Sequence, residues 1–354
     1  MRRRRLIVAA LVLAFIGALA LAVLVRKAAP PEAARLLPGA QGFVYFNLTP
    51  LRRAKLLQQL PPVALDSEYA EFVHETGFEF ERDLDEIAFA IHGPSQAPPG
   101  SNQRMSVENR YSEVFVGHFD ARRASQYLRK LAGSVDVYRN LEIINIPHEG
   151  RTVRVCFLGP EMVAISNVDD PAVIRGIVNR YHKLASPFGG PSLLRHYYRR
   201  VPFASPAWAI LDLGAVLSAS GNSSSPQNSS SALVLPGGYQ ISFPPGTVAV
   251  GSIRYLGEVD LKIRAFTTGE SEARGVADQM SAFFALVRTV EGNAGGDADV
   301  RAVFDRIHIE QDNKAAVLTA EFPPGILKKI LTEPPSASLP QAPAQPEKKA
   351  RKHR

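Results

Sequence analysis

Residues 111–119, Tyr-Ser-Glu-Val-Phe-Val-Gly-His-Phe, alternate in polarity and then run directly into Asp120 and a segment of helical period. Alternation at period two marks a half-buried strand, and an Asp ahead of a 3.6-residue apolar stripe marks a helix start. The spacing predicts a helix over 121–132, capped by Asp120, with Tyr127, Leu128 and Leu131 on one face. The same succession recurs at residues 257–266, Gly-Glu-Val-Asp-Leu-Lys-Ile-Arg-Ala-Phe. There it leads to a helix over 272–288 capped by Ser271, with Val276, Met280, Phe283, Phe284 and Val287 as its apolar positions.

Working outward, the repetition continues. Residues 41–48 (Gln-Gly-Phe-Val-Tyr-Phe-Asn-Leu) match 206–213 (Pro-Ala-Trp-Ala-Ile-Leu-Asp-Leu), and the strand at 84–93 matches that at 246–254. After the helices come strands at 141–146, 151–158 and 162–166 in one half, and at 306–310 and 315–322 in the other. The strand at 141–146 is paired with 306–310. The order strand, strand, strand, helix, strand, strand thus appears twice, which predicts an α+β fold. It reads as two tandem, similar units of mainly antiparallel sheet with helices on one face, residues 28–204 and 205–332. Whether the sheets join is not legible.

The halves differ where 51–77 forms a helical insert and where Ser218–Ser231, rich in Ser and Asn, reads as a loop. Loop 93–110 is a second irregular stretch. Asp170 and Pro171 open a helix over 171–184, and Pro191 opens one over 191–200.

The ends are of another kind. Residues 1–27 hold Arg2–Arg5, then twenty residues from Leu6 to Val25 without a charge, then Arg26 and Lys27. A helix of that length spans ~30 Å, a bilayer core, and the excess of cations ahead of it keeps the N-terminus cytoplasmic. A signal peptide cleaved after Ala20 or Ala22 is the rival reading. Both export the body: extracytoplasmic, periplasmic in a host with an outer membrane. Residues 333–354 form a proline-rich linker ending in Lys348, Lys349, Arg351, Lys352 and Arg354. That cluster is either a solubilising tail or a contact to an anionic surface.

The net charge of +7 is therefore terminal: residues 28–332 carry 30 Lys/Arg against 32 Asp/Glu. No basic face follows a phosphate backbone, so a nucleic-acid partner is not expected. One cysteine, Cys156, excludes an intrachain disulfide framework and reads as a small core residue.

No phosphate loop, dinucleotide-binding glycine pattern, HExxH or nucleophile elbow is present, so no catalytic, cofactor-binding or metal residue is assigned. Weaker candidates remain. Ser192 starts a helix. His92 and His118 fall on strands that a shared sheet face would bring together, as a pH-sensitive or metal-binding pair. Glu79, Glu81, Asp83 and Asp85 alternate along an extended segment, one arm of a weak Ca²⁺ site, with Glu86 beside them. Asn47, Asn222 and Asn228 match glycosylation acceptors.

Leu36-Leu37-Pro38-Gly39-Ala40 before a strand, and the acidic lead-in Thr76 to Ile87, together with the anchor and the repeated layout, resemble uncharacterised exported bacterial proteins of duplicated α+β build. The resemblance implies no reaction. The expected role is a non-catalytic interaction or envelope-organising module, anchored to the bilayer through residues 6–25 and meeting an unknown protein partner. The alternative is an exported hydrolase assembled from His92 or His118 and an acid.

Overall fold

Central strands read as continuous apolar runs, such as Ala88-Phe89-Ala90-Ile91, and such runs need cover on both faces. The computed structural model describes residues 29–53, 67–93, 110–183, 189–219, 231–235, 238–255, 257–293, 298–323 and 325–326. The proposed anchor at 6–25, the Ser-rich stretch 220–230, most of loop 93–110 and the tail 333–354 lie outside the described residues.

The strands are β1 (Gly42–Asn47), β2 (Leu84–His92), β3 (Arg110–Gly117), β4 (Ser134–Tyr138), β5 (Leu141–His148), β6 (Arg151–Gly159) and β7 (Met162–Ser166). There follow β8 (Ala207–Asp212), β9 (Ser231–Val234), β10 (Gln240–Phe243), β11 (Val248–Tyr255), β12 (Val259–Phe266), β13 (Ile307–Asp312) and β14 (Ala315–Phe322). The helices are α1 (Glu32–Leu36), α2 (Leu48–Arg53), α3 (Ser67–Thr76), α4 (Phe80–Asp83), α5 (Ala121–Leu131) and α6 (Ala172–His182). After these come α7 (Ser192–Tyr197), α8 (Leu213–Ala219), α9 (Glu270–Asn293) and α10 (Ala298–Asp305).

Twelve described strands form one sheet in the order β13-β14-β12-β11-β8-β1-β2-β3-β7-β6-β5-β4, antiparallel at each pairing. The pairing of β1 with β8, from Gly42↔Leu211 to Phe46↔Ala207, joins the two wings, so the sheet is continuous. The architecture is α+β with a large antiparallel sheet, as expected. By place in the sheet, β13 matches β6, not β5 as the sequence pairing had it; β4 and β5 extend one wing further.

Directly opposed residues share a face, which sorts the core into two layers. On one face, Phe43, Tyr45, Ala88, Val114, Ala164, Trp208, Ile210 and Val250 pack against Ala33, Leu36, Ile174, Ile177, Val178 and Leu194 of α1, α6 and α7. On the other, α9 buries Val276, Ala277 and Met280 on Ala265, Ala316, Leu318 and Ala320. On that second face α3 and α5 cover the far wing with Phe72, Ala124 and Leu128 over Phe115, Phe157 and Val163. The expectation of helices on one face is thus corrected. Central strands are apolar on both sides, and each side takes its own helices.

The helix starts repay comparison. Asp120 caps α5 through Oδ1, which accepts from the backbone N–H groups of Arg122 and Arg123. α9 begins at Glu270, and its entry is closed by Glu272, whose carboxylate accepts from the N–H groups of Thr268 and Gly269. Ser271 is therefore not the cap.

Candidate functional site

Tyr45 on β1 and Trp208 on β8 stand directly opposite each other in the antiparallel register. Their rings stack at 5.3 Å with planes 20° apart. Such a cross-strand pair adds about 1 kcal/mol beyond its buried area. Tyr198, from the 3₁₀ turn Tyr198–Arg200 that follows α7, meets the Trp208 ring edge-on at 5.4 Å. The Tyr45 hydroxyl bonds to the half-buried Glu86 carboxylate. Burial, then that carboxylate, hold the phenol far above its usual range. Burial also raises the pKa values of Glu86 and Tyr198.

These aromatic residues floor a cavity of about 680 Å³, whose wall includes Pro31, Asn47, Arg199 and the loop 201–205. The volume is that of a ligand-sized cleft. The loop is held tight: Ser205 Oγ donates to the Pro202 carbonyl at 2.8 Å, and Ala204 sits at φ 59°. A left-handed Ala costs about 1–2 kcal/mol, and such outliers cluster at ligand clamps. At its tip Phe203 is 69% exposed, an apolar ring at the cavity mouth. Trp208 is buried, and its Nε1 has no hydrogen-bond acceptor. An unpaired buried donor costs about 1–3 kcal/mol.

The residues singled out in the sequence fall elsewhere. His92 and His118 are not brought together. They lie at opposite ends of the β2–β3 hairpin, where His92 opposes Arg110 and Leu84 opposes Gly117. His92 Nε2 lies 3.0 Å from Ser112 Oγ, which in turn lies 3.0 Å from Ser166 Oγ. Both serines are buried, and burial lowers the His92 pKa to about 4. His118 is exposed and lies 3.5 Å from Asp85 Oδ2; Asp85 also accepts from Thr49 and Arg52.

The acidic run is not extended. It turns through α4, where Arg82 bridges Glu79 at 2.8 Å and Asp83 at 2.7 Å. Alternation failed because one arginine between two acids closes a helical turn. No group of three or more His, Cys, Asp or Glu set to hold a metal ion occurs among the described residues. Ser192 opens α7, a helix of six residues, and is exposed. Cys156 is buried, as expected. Asn47 lines the cavity, its Oδ1 accepting from Thr49 N–H. The signal missed was the pairing of the strands 41–48 and 206–213, which sets Tyr45 against Trp208.

Among solved structures, those of TP0453 align with most of this chain. Crystal form III matches at a TM-score of 0.47 and 9% identity, over 86% of this chain and 98% of that one. Form IV gives 0.46 and 8%, over 86% and 97%. No protein-family model and no curated protein matches the chain.

Proposed function

We propose that the protein is a membrane-anchored, extracytoplasmic binding module without catalytic function, which recognises a protein partner at the cavity over β1 and β8. The cavity is the observation that carries this reading: stacked aromatic side chains at its floor and an exposed Phe203 at one mouth. Aromatic anchors with a polar handle are what recognition surfaces are built from.

The anchor rests on the run Leu6–Val25 behind four arginines. No described helix is long and apolar enough to cross a membrane. The basic tail is proposed as a contact for an anionic surface. The body is read as two tandem units, 28–204 and 205–332. In support, β1-β2-β3 followed by α5 and β8-β11-β12 followed by α9 run outward from the β1–β8 seam in the same order. The hydrolase alternative has less in its favour. His92 meets a serine that is fully buried, and Asp85, the acid beside His118, is already engaged by Thr49 and Arg52.

Two experiments test the reading. A reporter active only outside the cytoplasm, fused after Thr332, will be active; activity of a cytoplasmic reporter there instead overturns the topology. Affinity capture of the intact, membrane-embedded protein will yield a partner that Phe203→Ala loses. Because Phe203 is exposed, the variant will keep its circular dichroism. Undiminished capture by Phe203→Ala removes the cavity from the reading.

A further inference from the structure

Ser134, Asn145, Arg154 and Ser166 oppose one another in a row across β4, β5, β6 and β7. Directly opposed side chains share a face, here the one that α6 covers. One pair further along, that face is apolar: Ile143, Cys156 and Ala164 pack in one cluster with Ile174, Ile177 and Val178 of α6. The row itself is polar. Beside it the start of α6 and the sheet frame a cavity of about 330 Å³, lined by Ser134, Asp136, Asn145, Thr152, Arg154 and Arg175.

The two arginines come from different elements. Arg154 on β6 donates through Nη1 to the Val168 carbonyl at 2.7 Å, which turns it toward the segment leading into α6. Arg175, on α6, lies over the Tyr138 ring at 5.5 Å. Tyr138 is held to the same helix by its hydroxyl, which donates to Asn179 Oδ1 at 3.1 Å. Neither arginine forms an ion pair among the described residues. The acids at the entry to α6 are already engaged. Asp169 pairs with Arg110 at 2.7 Å, and Asp170 accepts from the Ala172 N–H at 2.8 Å.

The opposite wall offers acceptors. Asn145 is buried, and its Nδ2 donates to Ser134 Oγ at 3.0 Å and to Asp136 Oδ2 at 3.1 Å. An ionised carboxylate only accepts, so the orientation of the amide is fixed and both its N–H groups are spent. Asn145 Oδ1 then remains as an acceptor, beside the exposed carboxylate of Asp136.

The cavity therefore sets two positive charges against one negative. Its electrostatic complement carries two anionic groups and one cationic donor. Planar guanidinium forks match carboxylates, two bonds at a time. A phosphate dianion has no donor for Asp136, and the volume, at the low end of ligand cavities, suits a small molecule.

We propose that this cavity binds a free acidic amino acid, its two carboxylates held by Arg154 and Arg175 and its ammonium by Asp136 and Asn145. The site lies four strand spacings from β1, or ~19 Å, and is independent of the cavity over β1 and β8.

Two measurements on the full-length protein in detergent test it: titration calorimetry, and the thermal midpoint followed through Trp208, the only tryptophan. L-Glutamate or L-aspartate will bind at one site per chain. At ten times its dissociation constant it will raise the midpoint by about 3 °C. Glutarate, which lacks the ammonium, and L-glutamine, which lacks the second carboxylate, will each bind about tenfold or more weakly than L-glutamate. Arg154→Gln and Arg175→Gln will each weaken L-glutamate by a similar factor. Asp136→Asn, on an exposed side chain, will weaken L-glutamate and leave glutarate unchanged, a loss of discrimination that impaired folding does not produce.

Neither heat nor a rise in midpoint with either amino acid overturns the proposal. So does glutarate or inorganic phosphate binding the wild type as tightly as L-glutamate, since the cavity is then a plain anion site. L-Glutamate binding that survives both arginine substitutions places the ligand elsewhere and overturns it too.

Discussion

Glu113 on β3 opposes Phe89 on one side and Ile165 on the other, and burial raises its pKa to about 7. An unfolded carboxyl titrates near ~4.3, so the folded state holds the extra proton from there up to about 7. This term makes stability fall as pH rises through that window. His92 acts oppositely. Its pKa is about 4 when folded against ~6.5 unfolded, so its term makes stability rise with pH between those values. Each term is on the order of 2–3 kcal/mol after solvent screening. The two therefore offset each other between pH 4.5 and 6.5 (~). Urea titrations will show Glu113→Gln losing stability on acidification through that range. His92→Gln will gain stability there. Parallel curves for both variants and the wild type would falsify the assignment. Neither perturbation was legible in the sequence: both histidine and glutamate sit at polar positions of an alternating pattern, and only the neighbouring strands bury them. The Cys156 environment was legible, because Val155 to Leu158 is an apolar run. Burial pushes its thiol up to about 12, so a thiol reagent will label it only in denaturant.

Elements ending on strong local signals were read well, and those held by pairing alone were not. The helix after β3 follows from Asp120, and Asp120→Ala will cost about 1 kcal/mol in urea denaturation by orphaning the N–H groups of Arg122 and Arg123. β4 escaped notice because Ser-Val-Asp-Val-Tyr is short and almost wholly exposed; it exists through its pairing with β5. The β9–β10 hairpin escaped likewise, beside a Ser-rich stretch that masks it. The two edges of the sheet differ in kind. β13 presents His308, Glu310 and Asp312 to solvent, whereas β4 leaves Val137 72% exposed. Charged edges resist edge-to-edge pairing and apolar ones invite it. Val137→Lys will therefore slow aggregation, measured by light scattering, with stability changed by less than ~0.5 kcal/mol. Gly117 closes the β2–β3 pair at an irregularity in register, where an added Cβ would lie 2.3 Å from the Asp83 carbonyl oxygen. Gly117→Ala will cost about 1–3 kcal/mol, since backbone cannot yield as a side-chain tip does.

At the scale of the whole molecule, the repeated order of strands and helices could be read from periodicity, but the seam could not. Nothing in residues 41–48 or 206–213 states that they pair with each other, so the cavity they frame was invisible. The pairing also carries the core across residue 204. Trp208, Ile210, Val248 and Val250 pack in one cluster with Leu36, Ile174 and Leu194. Residues that share one cluster unfold together. Calorimetry will accordingly show a single endotherm, coincident with the Trp208 fluorescence transition. Two resolved endotherms would mean that the halves melt as separate bodies.

Pro31 lines the cavity over β1 and β8, and Phe322 ends β14 at that same end of the sheet. β1, however, enters the sheet at the other end, where Gly42 opposes Leu211 and lines up across β11 and β12 with Ala316 at the start of β14. A pull on residues 42 and 322 therefore loads the sheet from opposite ends. Antiparallel strands loaded in this way resist in shear with all their bonds at once, whereas strands loaded from one end peel apart one hydrogen-bonded pair at a time.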